Sequence, residues 1–336
     1  MRCSLEKIAV SVVMVVALGL VACGSDEDDV ITPPDNIDDV TDADTIGTEE
    51  RMLVDSVELW SQRGTNRIYG MMYYNPLTSG KLPAVVLSHS SSLTHEAMSG
   101  YALAIAEMGY AAYCFDFCGG SDKSKSDGTN DEMTVFTEVE DLRAVVRTVK
   151  SLEYVDASRV YLLGSSQGGL VSALLADECP EEFAAMLLFY PAFNIPEMVR
   201  MFSDFGNMGN LEGLGDLEGL GNFGGLGNFG DWGNFGEMMS MSEKYIDSIK
   251  DYDVWSHIGK YPNPVCIIHG TKDIIVPISN SEKAVGIYPS ATLYPIEGAN
   301  HGFNAANLGS MSSMIGASAN YDSKVIPIVR DFLKRQ

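Results

Sequence analysis

Apolar and polar residues along this chain change period repeatedly, and each period predicts an element. Over 54–60 and 67–74 they alternate on either side of Gly64, which predicts two antiparallel strands joined by a turn. A short continuous apolar run at 84–87 reads as a buried strand. Residues 96–108 read as a helix that stops at Gly109, and 110–115 as the next strand. Val135, Val139, Leu142, Val146 and Val149 recur at three- and four-residue steps, the signature of an amphipathic helix. Further apolar runs at 160–163, 185–190, 264–268 and 291–296 predict strands. A helix-like run at 170–176 follows the first of these, and 321–334 reads as a closing helix. Strand and helix therefore alternate at βαβ spacing. That predicts an α/β chain with a mainly parallel central sheet and helices on both faces.

One segment obeys neither period. Residues 205–234 are five tandem hexads, FGNMGN, LEGLGD, LEGLGN, FGGLGN and FGDWGN, with Gly in the fifth place of each. Apolar residues recur every third position there, which suits neither a helix at 3.6 nor a strand at 2. Three residues per turn fits a polyproline-II-like path, and the glycine load makes ordering costly. The expectation is a mobile, Gly-rich lid insertion over 197–245.

The 336 residues suffice for one large α/β domain, expected over 51–336. The net charge of −24, from 22 basic and 46 acidic side chains, excludes a nucleic-acid partner, which requires a basic surface. Arg2 and Lys7 precede an apolar stretch at 8–20 and then Leu20-Val21-Ala22-Cys23. This resembles a bacterial lipoprotein signal, with 1–22 removed and Cys23 lipidated. An ordinary secretory signal cut near Ala22 is the alternative. No helix-length apolar segment follows, so contact with a membrane is expected through the N-terminal lipid only. Residues 25–50 carry many Asp and Glu and no Lys or Arg, so 23–50 reads as an acidic, disordered tether. The expected location is the cell envelope, at the outer membrane. Of six cysteines, Cys3 lies in the signal, Cys114 and Cys266 lie in apolar strands, and Cys118 and Cys179 in loop or helix-end positions. There is no C-x-x-C and no zinc spacing, so neither a metal nor a cofactor is expected.

Chemistry concentrates at Gly164-Ser165-Ser166-Gln167-Gly168, between the strand at 160–163 and the helix at 170–176. A strand, a tight G-x-S-x-G turn and a helix form a nucleophile elbow, which exposes the Ser166 hydroxyl above the sheet. A serine needs a base, and the base an orienting acid. Downstream, Asp273 follows the strand at 264–268 and His301 follows the last strand, giving the order Ser, Asp, His. Both sit at carboxyl ends of strands, where a parallel sheet places its sites. Glu297 is a poorer acid, being too near His301 in sequence to reach around it. Of the five histidines, His89 and His269 are expected to hold turns, His95 to cap or sit at the surface of a helix, and His257 to be structural. For the oxyanion hole, Gln167 N–H is one donor and Ser91 N–H the second, with Ser90 as its alternative.

These residues, with those at 113–120 (YCFDFCGG), 133–142 (MTVFTEVEDL) and 190–193 (YPAF), resemble α/β-hydrolases of the feruloyl (cinnamoyl) esterase and dienelactone-hydrolase-like group. The resemblance runs from about Lys81 to the C-terminus, interrupted by the hexads. It implies the α/β-hydrolase fold and hydrolysis of hydroxycinnamoyl or acetyl esters of plant cell-wall polysaccharide, with a small ester or oligosaccharide ester as partner. Ser166 in place of cysteine points to ester hydrolysis rather than dienelactone hydrolysis. The family has Gly after the first-strand histidine; here Ser90 stands there, and a positive φ at that position would strain it. Two other readings stay open: a serine peptidase of the prolyl-oligopeptidase type, and a surface polysaccharide-binding lipoprotein with a relic hydrolase domain.

Overall fold

A computed structural model describes residues 53–208, 241–303 and 322–336 of the chain. The signal segment, Cys23, the acidic tether and hexad residues 209–234 lie outside these described residues. The strands are β1 (Asp55–Arg63), β2 (Asn66–Tyr74), β3 (Leu82–Ser88), β4 (Ala111–Phe115), β5 (Val155–Ser165), β6 (Ala185–Phe189), β7 (Val265–Gly270) and β8 (Ala291–Ile296). They form one sheet in the order β1-β2-β4-β3-β5-β6-β7-β8. β1 and β2 pair antiparallel across a two-residue turn, and β2 pairs antiparallel with β4. Every pairing from β4 to β8 is parallel.

The helices are α1 (Glu96–Glu107), α2 (Val135–Lys150), α3 (Gln167–Glu178), α4 (Ile195–Met208), α5 (Glu243–Ile249), α6 (Val254–His257), α7 (Ser279–Val285) and α8 (Asp322–Leu333). Period-two alternation divides the apolar side chains between two layers. Val86 of β3 and Leu162 of β5 pack with α2 and α3 on one face. Val85 and Leu87, with Tyr161 and Leu163, pack with α1 and α8 on the other. Central strands covered on both sides are apolar throughout, which is why the run at 84–87 shows no polar position. Thr134 starts α2 with a reciprocal cap: its Oγ1 accepts from Thr137 N at 3.1 Å, and Thr137 Oγ1 accepts from Thr134 N at 2.8 Å.

The expected strands are present, as are the expected helices α1, α2, α3 and α8, with β5 starting five residues earlier than the apolar run. Helices α4 to α7 were not expected. α5 to α7 span only one or two turns, too few for a period to show in sequence, while α4, at 14 residues, runs into the segment where the Gly-rich insertion is expected. The first hexad also differs from its expectation, because Phe205–Met208 form the end of α4 instead of a three-residue-per-turn path. Among the described residues no helix is long and apolar enough to cross a membrane.

Candidate active site

β5 ends at Ser165, and α3 begins at Gln167, so the whole reversal falls on Ser166. Its backbone sits at φ 51° and ψ −118°, a conformation costly for any residue with a side chain. Hydrogen bonds on both sides hold it there. Ser166 N donates to Phe189 O at 2.9 Å, and Ser166 O accepts from Gly169 N at 2.9 Å and Ala192 N at 3.0 Å. The flanking glycines are required by close approach. A Cβ on Gly164 would lie 2.2 Å from Gly168 O, and one on Gly168 would lie 2.5 Å from the carbonyl oxygens of both Ser88 and His89. The turn is thereby pressed against the loop that follows β3.

The structure brings Ser166, His301 and Asp273 into one hydrogen-bonded row. Ser166 Oγ lies 3.1 Å from His301 Nε2, and His301 Nδ1 lies 2.7 Å from Asp273 Oδ2. A carboxylate only accepts, so Nδ1 carries the proton and Nε2 is left to accept from the serine. Asp273 is fixed at its other oxygen, where Oδ1 accepts from Ile275 N at 3.0 Å and Val276 N at 2.9 Å. Burial alone would raise its pKa. The electrostatic pull of the His301 ring and the hydrogen bonds from His269 and His301 outweigh burial and hold the carboxyl well below the ordinary carboxylate range. Asp273 therefore stays ionised beside the imidazole.

The other histidines are accounted for one by one. His269 is buried, with Nε2 donating to Val276 O at 2.8 Å and lying 3.2 Å from Asp273 Oδ2, while Ser281 Oγ lies 2.6 Å from Nδ1. It holds the turn that carries Asp273. His89 Nδ1 donates to Ser90 O at 2.7 Å, and its Nε2 accepts from Phe117 N at 3.2 Å. Burial lowers its pKa, which keeps the ring neutral in this role. His257 is exposed, stacks on Tyr252 and lies 2.9 Å from Asp253 O. His95 corrects its expectation. It makes no side-chain cap, is buried, and places Nδ1 2.7 Å from Asp116 Oδ1. The fully buried Asp116 also accepts from His95 N and Lys125 N, bonds that tie the loop after β4 to the start of α1.

A cavity opens in front of Ser166. Ser90, Ser91, Gln167, Tyr190 and His301 line its polar side, and Leu93, Ala192, Ile195, Met198, Ile275 and Val276 its apolar side. Gln167 is the first residue of α3, where the helix supplies no partner for the backbone N–H and its dipole favours negative charge. Ser90 Oγ lies 3.0 Å from Ser165 Oγ, which joins the β3 loop to the serine turn. The positive φ in that loop falls on Ser92, at 59°, and Ser90 is free of it. Tyr190, whose backbone is at φ 38°, packs its ring 4.6 Å from the His301 ring.

Two residues at the site were missed from sequence. Glu138 accepts from Gln167 Nε2, and Tyr245 donates to Gln167 Oε1, each at 2.7 Å. Burial pushes Glu138 up to about 8, with the Gln167 bond opposing and the charge of Asp141 adding. A signal for Glu138 existed: it stands three residues after Val135 and four before Leu142, an acid on the apolar stripe of α2. Tyr245 lies in no motif.

Known proteins agree with this architecture. A family model described as serine aminopeptidase, S33, matches residues 81–211. Acylamino-acid-releasing enzyme of Rattus norvegicus is 31% identical over 133 residues, covering 37% of this chain. The chain spans only 18% of that enzyme's length. Among solved structures, Est1E from Butyrivibrio proteoclasticus with ferulic acid bound superposes with a TM-score of 0.62 at 22% identity, over 83% of this chain and 98% of that one. The Pyrococcus furiosus esterase Pf2001 gives 0.56 at 17% identity, over 84% and 93%. A mainly parallel sheet in this order, with its serine on a strained turn between a central strand and the helix behind it, makes this chain an α/β-hydrolase in fold.

Proposed function

We propose that the protein is a serine carboxylic-ester hydrolase working through an acyl-enzyme on Ser166. The observation that carries this reading is the row Ser166, His301, Asp273 facing a partly apolar cavity. His301 Nε2 takes the Ser166 proton as Oγ attacks the ester carbonyl carbon. Asp273 steadies the imidazolium that forms. The carbonyl oxygen becomes an alkoxide and is received by the N–H groups of Gln167 and Ser91, each worth about 3–4 kcal/mol in such a hole. Collapse of the tetrahedral centre expels the alcohol, which takes the proton from His301. Water then repeats the sequence on the acyl-enzyme, releasing the acid and restoring the serine.

For substrate, the reading takes hydroxycinnamoyl or acetyl esters of plant cell-wall polysaccharide. The likeness to Est1E bound to ferulic acid and the apolar cavity wall support it. Attachment through a lipid on Cys23 at the outer membrane belongs to the same proposal and predicts that Cys23→Ala moves the protein from the membrane to the soluble fraction. A fluorophosphonate probe should label Ser166, and Ser166→Ala should abolish turnover of methyl ferulate and aryl acetates while folding is retained. Undiminished turnover by that variant would overturn the assignment.

A peptidase reading is favoured by two findings, the serine-aminopeptidase match over 81–211 and the acylamino-acid-releasing relative. Side-by-side rates on acylated amino-acid anilides and on ferulate, p-coumarate and acetyl esters decide between the two.

A further inference from the structure

The Gln167 side chain is gripped at both ends inside the protein. Its Nε2 donates to Glu138 of α2 and its Oε1 accepts from Tyr245 of α5. All three residues are at least 98% buried. An acid in this position is costly, because it stands on the buried stripe of α2 with Val135, Val139 and Leu142, facing the apolar core. A leucine would fill the space without that cost. What the acid and the tyrosine provide is a pair of bonds that fixes a carboxamide no apolar side chain could hold. That carboxamide belongs to the residue directly after Ser166, the first of α3, whose backbone N–H has no partner within the helix. A glutamine side chain free to rotate would leave this first residue of α3 anchored by its backbone alone.

We propose that Glu138 and Tyr245 are positioning residues, which hold the Gln167 N–H in register with the oxygen that becomes negative during ester hydrolysis. The proposal rests on the ester-hydrolase reading of Ser166. The oxygen carries full charge only in the tetrahedral species, so misalignment weakens that species and leaves the planar ester bound as before.

The test uses pre-steady-state release of p-nitrophenol from p-nitrophenyl acetate, which separates the acylation rate from ground-state binding. Tyr245→Phe and Glu138→Leu should each slow acylation about tenfold or more, short of the hundredfold or greater loss of a whole oxyanion donor, with ground-state binding within about twofold. Glu138→Gln keeps an oxygen acceptor for Gln167 Nε2 and should recover most of the rate lost in Glu138→Leu. An aryl trifluoromethyl ketone, which forms a tetrahedral alkoxide on Ser166, should bind these two variants about tenfold more weakly, and the matching methyl ketone unchanged. Should Glu138→Leu fail to fold, Tyr245→Phe, which removes a single hydroxyl, decides alone. Unchanged acylation, or equal weakening of both ketones, overturns the positioning role. Absence of any p-nitrophenol release above the spontaneous rate from the unaltered protein overturns the ester reading and the positioning role together.

Discussion

Replacing Glu138 with glutamine should make the protein progressively more stable than its parent as pH rises. Burial places the Glu138 carboxyl at about 8, against an ordinary value of 4.5. Between those values the native state holds a proton that the unfolded chain has released. The native state thus binds one proton more, and stability must fall with increasing pH. The contribution is whole below about pH 4.5 and lost once pH passes about 8. Between pH 5 and pH 8 the linkage amounts to about 3.5 kcal/mol, a large part of the stability of an ordinary domain. Glutamine has no such titration and keeps the acceptor for Gln167 Nε2. Urea unfolding of both proteins at pH 5 and pH 8 isolates the effect, since groups titrating alike in both cancel. The advantage of Glu138→Gln should grow by about 3.5 kcal/mol between the two conditions. Growth of less than about 1 kcal/mol would mean that the carboxyl is ionised and solvated in the folded protein, and would refute the reasoning.

Three further outcomes follow from other contacts. In Asp273→Asn, the bonds from Ile275 N and Val276 N keep the side-chain oxygen at the Oδ1 position and turn the amide nitrogen toward His301. That forces the wrong imidazole tautomer and should lower acylation about ten-thousand-fold, read by p-nitrophenol release. In Gly168→Ala, the new Cβ meets the Ser88 and His89 carbonyls at 2.5 Å, so the loop after β3 must shift. Chemical denaturation should show a loss of about 1–3 kcal/mol, with turnover falling as well, because that loop lines the cavity. In Arg63→Met, the fully buried Asp141 loses its ion-pair partner and keeps Cys118 N–H. The cost should approach about 3 kcal/mol by denaturation, and adding Asp141→Leu should recover much of it.

Much of the site was legible because its parts are local. The glycines around Ser166 mark a turn wherever strand and helix meet, and Asp273 and His301 each stand just past a strand. His95 shows the opposite case. Its position before α1 suggested a cap or the surface, but its partner Asp116 lies 21 residues on, at the end of β4. Only the pairing of β3 with β4 brings the two together. The loop after β3 is similar: the substitution at Ser90 was visible, but the positive φ falls two residues later, at Ser92, a matter of how that loop packs on the serine turn.

The sequence by itself determined the strands, the helices α1, α2, α3 and α8, and the three residues of the serine row. Backbone hydrogen bonding and side-chain direction repeat over a few residues, so period and turn chemistry are written locally. Only the tertiary structure decided what Glu138, Gln167 and Tyr245 do for one another. They stand 29 and 78 residues apart along the chain and meet because α2, α3 and α5 pack on the same face of the sheet. A buried polar group takes its meaning from its partner, and partners that far apart are chosen by packing, which no local pattern records.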